Sequence, residues 1–520
     1  MPSPVLALAF LPCSWQAPGP DFEAGFASIL EKDLLVHVTE LASPQLEGRD
    51  SPSEGLFRAG EYIIARLKTA GLEGGMGEQT FRMGYTMTRH APVPEECLLA
   101  MQPKEGEEMT FVLEEDFVPL PSCPGEGEGP LSFFGFGITE SEEKRYDDLK
   151  GRNCRGEIVM VLESEPRSKK LFEGPEVTKA GSVYAKVKAL EERGAKGVLV
   201  VRRLPPEQPK GLNGELVGPV PLGFRYSWAQ WVGVGQQPDV NVTARIPALE
   251  ITASVASKLL GEDVAELAAR IESTGKPIRR ERKDVVVTLK AGLSERAVPI
   301  DNIVGLVRGS DPSMASEYLV MGAHYDHIGV DSWGRIGCGA DDNGSGSSGL
   351  IELAEAMVLA RPRRSILFTW FSAEEKGLDG SKAFCEHPPV PMSSIVTMLN
   401  VDMIGRLAED EVYVVGAHVN RAFEDVLKEA KKLKPTQIKK VFTDKGLDLW
   451  ARSDHYNFHE KGVPSMFFTE GAIDAENPDY HRWSDTVDKL STTKMARITR
   501  FMFNTAWLIA NEPKRPPAPQ

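Results

Sequence analysis

Ser365-Ile366-Leu367-Phe368-Thr369-Trp370-Phe371 is an almost unbroken apolar run, and directly after it come Ser372-Ala373-Glu374-Glu375-Lys376-Gly377. A short run apolar on both faces suits a strand in a sheet that is covered on both sides. Two carboxylates at the end of such a strand are poorly explained as a solvated face, because desolvating them without a partner costs several kcal/mol. A bound cation removes that cost.

Runs of the same kind recur at 302–307, 318–321, 395–401, 411–415 and 463–468, and helical periodicity separates them at 346–359, 422–433 and 493–509. Strands alternating with helices predict an α/β fold with a sheet between helical layers. In such folds ligands bind beyond the carboxyl ends of the strands. Apolar residues also recur at helical spacing over 22–41 and 55–72, with Ala70-Gly71 as a stop. Between about 101 and 289 the texture changes. Gly/Pro/Glu-rich passages at 122–130 and 205–221 interrupt short strand-like runs such as 157–162, while 184–193 reads as a helix and 197–201 as a buried strand. This stretch reads as an inserted domain.

Composition agrees with a soluble globular chain. Of 520 residues, 41% are hydrophobic and 26% charged, which excludes wholesale disorder and predicts two or three domains. A net charge of −15 opposes attraction to nucleic-acid phosphates or anionic lipid. The six cysteines, Cys13, Cys97, Cys123, Cys154, Cys338 and Cys385, lack the close pairs of a zinc ribbon or a small disulfide scaffold. An apolar run through Leu6, Leu8 and Phe10 has no preceding Lys or Arg and is too short to span a bilayer. It reads either as a weak or truncated export signal, with a secreted or periplasmic location, or as a frayed terminus.

Four further segments carry polar residues. After the 318–321 strand comes Gly322-Ala323-His324-Tyr325-Asp326-His327. Residues two apart in an extended segment share a face, so His324 can be a metal ligand whose imidazole Asp326 orients. On its own, such a pair is more often a structural hydrogen-bonded one. Gly339-Ala340-Asp341-Asp342-Asn343-Gly344-Ser345-Gly346 opens a helix, and its acids either cap that helix or, with glycines permitting close approach, let Asp342 reach two cations. The 395–401 strand delivers Asp402. Asp479-Tyr480-His481-Arg482-Trp483-Ser484-Asp485 supplies a second imidazole and a phenol. Two imidazoles, three carboxylates and an unligated Glu fit a pair of zinc ions with one shared carboxylate and an open position for water. Magnesium or calcium would use fewer imidazoles.

The segments GAHYDHIG, GADDNGSG, SAEEKGLDGS, NVDMIG and YHRWSDT, together with Leu46-Glu47-Gly48-Arg49, resemble the dizinc aminopeptidase family of secreted bacterial exopeptidases, which includes aminopeptidase Y and the glutamate carboxypeptidase relatives. The resemblance implies a mixed central sheet with helices on both faces, of the zinc exopeptidase, phosphorylase/hydrolase-like type. It also implies two zinc ions, with Asp342 shared, His324 and Asp402 on one ion, Glu375 and His481 on the other, and Glu374 as general base. Asp326, orienting His324, is counted with Glu374 among the catalytic residues; the resemblance further implies that Tyr480 and Arg452 line the substrate site and that Asp341 is not a ligand. The insert is similar to a protease-associated domain. The expected organisation is a terminus at 1–20, a peptidase domain at 21–100 and 290–512, the insert at 101–289 and a disordered tail at 513–520.

The implied activity is removal of N-terminal residues from peptides by metal-activated water. Alternatives on the same motifs are a carboxypeptidase or dipeptidase, a glutaminyl cyclase with one zinc, and a binding ectodomain without catalysis. A carboxypeptidase calls for an arginine cluster to hold the substrate carboxylate. Arg406 and Arg452 are the only obvious near-site arginines, which tilts the reading towards an aminopeptidase. No membrane span and no nucleic-acid partner are expected.

Overall fold

A computed structural model describes residues 19–139, 146–166, 181–202, 244–330, 334–470 and 477–517. The apolar run near the N-terminus and the passage at 205–221 lie outside the described residues. Among those described, the strands form two sheets, one of nine strands and one of eight.

The larger sheet runs in the order Glu73–Gly74, Leu293–Val307, Ser365–Phe371, Tyr318–His324, Ile395–Val401, Ser465–Thr469, Glu411–Val415, Lys440–Phe442, with Arg82–Pro92 also laid along Leu293–Val307. Its centre is parallel. Tyr318–His324 pairs with Ser365–Phe371 on one side and Ile395–Val401 on the other, and Ile395–Val401 pairs with Ser465–Thr469. Successive side chains of a strand point to opposite faces, and here both faces are covered. Ile366, Phe368 and Trp370 join the core formed with helices Gly346–Ala360 and Thr492–Asn511. Leu367 and Phe371 join Phe384 and Phe458 from helices Asp379–Glu386 and His455–Glu460 on the opposite face. This is why the central runs are continuously apolar, and the fold is the expected α/β architecture with a mixed sheet between helical layers.

The smaller sheet takes in strands from Leu98–Pro103 to Arg279–Ala291, with a parallel centre formed by Gly125–Phe134, Ile158–Leu162, Gly197–Val201 and Ala248–Ile251. The Gly/Pro/Glu-rich passage at 122–130 is mostly strand rather than an interruption. A Cβ on Gly127 would stand 2.2 Å from the carbonyl oxygen of Lys196, and one on Gly129 would stand 2.3 Å from that of Gly156. These glycines mark places where a neighbouring backbone passes close.

Two other differences have local causes. The helical periodicity at 22–41 is two helices, Pro20–Ser28 and Glu31–Leu41, because the polar backbone at the break is taken by distant side chains. Arg500 donates to the Ile29 carbonyl, and the Leu30 amide donates to Glu352. The tail expected to be disordered is held as far as Pro517. Arg515 pairs with Glu317 at 2.7 Å, and Asn420 donates to the Pro517 carbonyl at 2.8 Å. Among the described residues no helix is long and apolar enough to cross a membrane.

Candidate metal centre

Strand register builds the site. His324 lies beside Phe371 at the carboxyl ends of their strands, so Glu374 and Glu375 emerge next to it. Gly322 lies beside Asn400, and Asp402 follows two residues later. Asp342 stands in the irregular turn Ala340–Ser345, ahead of helix Gly346–Ala360. The acids of this turn do not cap the helix, which has no side-chain cap hydrogen bond.

The structure brings His324, Asp342, Glu374, Glu375, Asp402 and His481 into one cluster. His324 Nε2 is 3.2 Å from Asp402 Oδ1 and 3.4 Å from Asp342 Oδ1. His481 Nε2 is 3.1 Å from Asp342 Oδ2 and 3.0 Å from Glu375 Oε2. The Asp342 carboxylate therefore turns one oxygen to each imidazole. In a tetrahedral zinc site with bonds near 2 Å, neighbouring ligand atoms stand about 3.3 Å apart, so these separations suit the donor set without rearrangement. Potential ligand atoms of His324, Glu374 and Asp402, and likewise those of His324, Asp342 and Glu375, lie within 4.8 Å of one another.

Acids and imidazoles shift one another's pKa across this cluster. Burial works against a charged His481, but Glu375 and Asp342 push its pKa up to about 10. Burial likewise opposes a charged His324, yet Asp402 and Glu374 hold it well above the usual histidine value. Glu375 is drawn down to about 2, against the cost of its burial, chiefly by His481. Glu374 differs from its neighbour. Burial, with the charges of Glu375 and Asp402 outweighing the pull of His324, raises its carboxyl well above the usual range.

The surrounding groups fix these side chains. His324 Nδ1 lies 3.2 Å from the Asp326 backbone carbonyl and 3.6 Å from Asp326 Oδ1, which accepts the Glu374 amide at 3.2 Å. Ser453 donates to Asp402 Oδ2 at 2.8 Å. The Asp342 amide donates to Asp485 at 3.1 Å. Tyr480 stacks on His481 with ring centroids 3.9 Å apart, and Arg452 donates to its hydroxyl at 3.4 Å. Asp341 faces away from the imidazoles, accepting from Gly405 and Asn477. Ala373, Met403 and His481 have positive φ of 52°, 54° and 53°. Such conformations cost roughly 1–3 kcal/mol each and gather at functional sites. Each of these three is a ligand candidate or directly adjoins one of the clustered acids.

Two groups at the site, His327 and Asp454, are not among the residues predicted from the sequence. His327 Nδ1 sits 2.9 Å from Glu375 Oε1, holding that carboxylate from the side opposite His481. Its place in His-Tyr-Asp-His was the available hint. Asp454 is fully buried with neither carboxylate oxygen hydrogen-bonded, and burial pushes its carboxyl up to about 7.

Fold and donor set together define an α/β chain of the metallohydrolase kind. Residues 302–506 match Peptidase family M28. A probable leucine aminopeptidase of Arthroderma benhamiae is 28% identical over 236 residues, covering 44% of this chain and 64% of that protein. Aminopeptidase YwaD of Bacillus subtilis is 26% identical over 243 residues, covering 45% and 50%. The chain thus spans less than two thirds of the length of these curated relatives. Among solved structures, BSAP, a zinc aminopeptidase from Bacillus subtilis, superposes with a TM-score of 0.54 at 19% identity, covering 93% of this chain and 96% of that one. An aminopeptidase from Aneurinibacillus sp. strain AM-1 superposes at 0.51 and 18% identity, covering 96% and 98%. These two likenesses bear on the fold.

Proposed function

We propose that the chain is a zinc-dependent aminopeptidase that holds two zinc ions and removes N-terminal residues from peptides. The observation that carries this reading is the Asp342 carboxylate, with one oxygen facing each of two imidazoles that have their own carboxylate partners. His324 and Asp402 would hold one ion, His481 and Glu375 the other, with Asp342 shared. Bound zinc would supply Lewis acidity towards water and the scissile carbonyl. Glu374, kept off the ligand set and with its raised carboxyl pKa, takes a proton from water and returns it to the leaving amine. Tyr480, which stacks on His481 and accepts from Arg452, would donate to the developing oxyanion. Asp326 keeps His324 and the Glu374 backbone in register.

The family match and the aminopeptidase relatives support this choice over a cyclase or a binding ectodomain. Against a carboxypeptidase stands the disposition of the two arginines. Arg406 is paired with Asp479 at 2.8 Å and Arg452 is turned to Tyr480, so they do not form a cluster for a substrate carboxylate. On the same reading, 101–289 is a protease-associated-like insert in a peptidase domain made of 21–100 and 290–512. Its support is that Arg82–Pro92 and Leu293–Val307 pair in the larger sheet while the strands between them build the smaller one. Export from the cytoplasm rests on the apolar run near the N-terminus.

A panel of aminoacyl p-nitroanilides and their N-acetylated forms tests the activity. The expected result is release from the free-amine substrates only, abolished by chelation and restored by zinc. Release from N-acetylated substrates alone, or none from any free-amine substrate, would remove the aminopeptidase reading.

A further inference from the structure

Residues Gly48-Arg49-Asp50-Ser51 lie outside the segment that matches the peptidase family, yet each touches a loop carrying a candidate zinc ligand. Arg49 is 1% exposed. Its guanidinium donates to the Tyr325 carbonyl at 2.8 Å, to those of Cys338 and Gly339 at 2.7 and 3.0 Å, and also to that of Leu41. One side chain thus joins the backbone between His324 and Asp326 to the backbone leading into Asp341-Asp342. The Arg49 and Gly48 carbonyls accept from the His327 and Gly329 amides, closing the same loop from its other edge. Asp50 pairs with Lys376 at 2.7 Å, one residue beyond Glu375. Ser51 is fully buried. Its hydroxyl donates to Asp326 Oδ2 at 3.0 Å and accepts the Ala373 amide at 2.9 Å.

The backbone here is held under constraint. Glu47, Gly48 and Arg49 have consecutive positive φ values of 49°, 69° and 50°. A Cβ on Gly48 would stand 2.4 Å from the Gly337 carbonyl oxygen and 2.6 Å from that of Gly329. Non-glycine residues persist in this region only where surrounding contacts over-determine it. Here those contacts are the ligand-bearing loops themselves.

We propose that Gly48–Ser51 is the positioning element of the metal centre, with Ser51 setting His324 and Glu374 relative to one another. This rests on the reading of the site as a zinc peptidase centre. Ser51 reaches His324 through Asp326, and it reaches Glu374 through both Asp326 and the Ala373 amide. It therefore couples a ligand of one ion to the general base, while Arg49 fixes the spacing between His324 and the shared Asp342. Partners that orient metal ligands typically account for 10–100-fold in metal affinity or activity.

The test compares Ser51→Ala, Ser51→Thr and Arg49→Lys in the full chain, with Ser53→Ala as a control. Ser53 is two residues away and caps helix Glu54–Ala70 through the Leu56 amide without touching the ligand loops. Zinc affinity is read by competition with a chromophoric chelator, and kcat, KM and thermal unfolding are measured alongside. Ser51→Ala is expected to lower zinc affinity or kcat about 10–100-fold with KM nearly unchanged, and Ser51→Thr to recover most of that loss. Arg49→Lys should weaken zinc binding by a similar factor. Ser53→Ala should lower the unfolding temperature but leave zinc affinity and kcat in place. If Ser51→Ala and Arg49→Lys keep wild-type zinc affinity and kcat in a chain that binds zinc and hydrolyses peptides, the proposal is overturned while the peptidase reading stands. If Ser53→Ala loses as much affinity and kcat as Ser51→Ala, the effect is general destabilisation and the proposal is again overturned. A wild-type chain that binds no zinc overturns both.

Discussion

Glu374→Gln is expected to lower kcat by about 10²–10⁴-fold while leaving zinc content and KM close to wild type. The amide keeps the volume of the side chain but cannot take a proton. The Glu374 carboxyl is also raised well above its ordinary range, whereas Glu375 beside it is drawn down to about 2. Adjacent residues of identical chemistry are thus separated by environment, one suited to proton transfer and the other to ligation. Near-normal turnover in this variant would take Glu374 out of the role. Loss of zinc along with turnover would make it a ligand, consistent with its closeness to His324 and Asp402 but not with the assignment made here.

Asp342→Ala is expected to be the most damaging substitution at the site. It removes the oxygens facing both His324 and His481, so both ions should be lost together and hydrolysis should fall to background. Substituting Asp402 or Glu375 removes a carboxylate from one side only. Zinc content by elemental analysis, followed by titration with added zinc, separates the cases. If Asp342→Ala retains one tightly bound zinc, Asp342 is not shared.

Much of this arrangement was legible because it follows from periodicity. The parallel strands at the centre of the larger sheet bury both faces and so read as apolar runs, and the polar residues just beyond them gather because the strands end on one edge. What stayed hidden depends on backbone acceptors. Arg49 organises the site entirely through carbonyl oxygens, which belong to no residue type. Ser51 acts through one carboxylate and one amide that are distant in sequence. The strand through Gly127 and Gly129 looked like a break because close backbone approach and chain reversal both select glycine. The separation of Pro20–Ser28 from Glu31–Leu41 was invisible for a similar reason, since Arg500 and Glu352 satisfy the break from far along the chain.

The most direct test of a two-metal centre is the zinc content of the full chain after loading with excess zinc and removal of unbound ion by gel filtration. Two zinc ions per chain are expected, both lost on chelation together with peptide hydrolysis and both regained with it. A single zinc at full activity would contradict it, because Asp342 would then have no second ion to share.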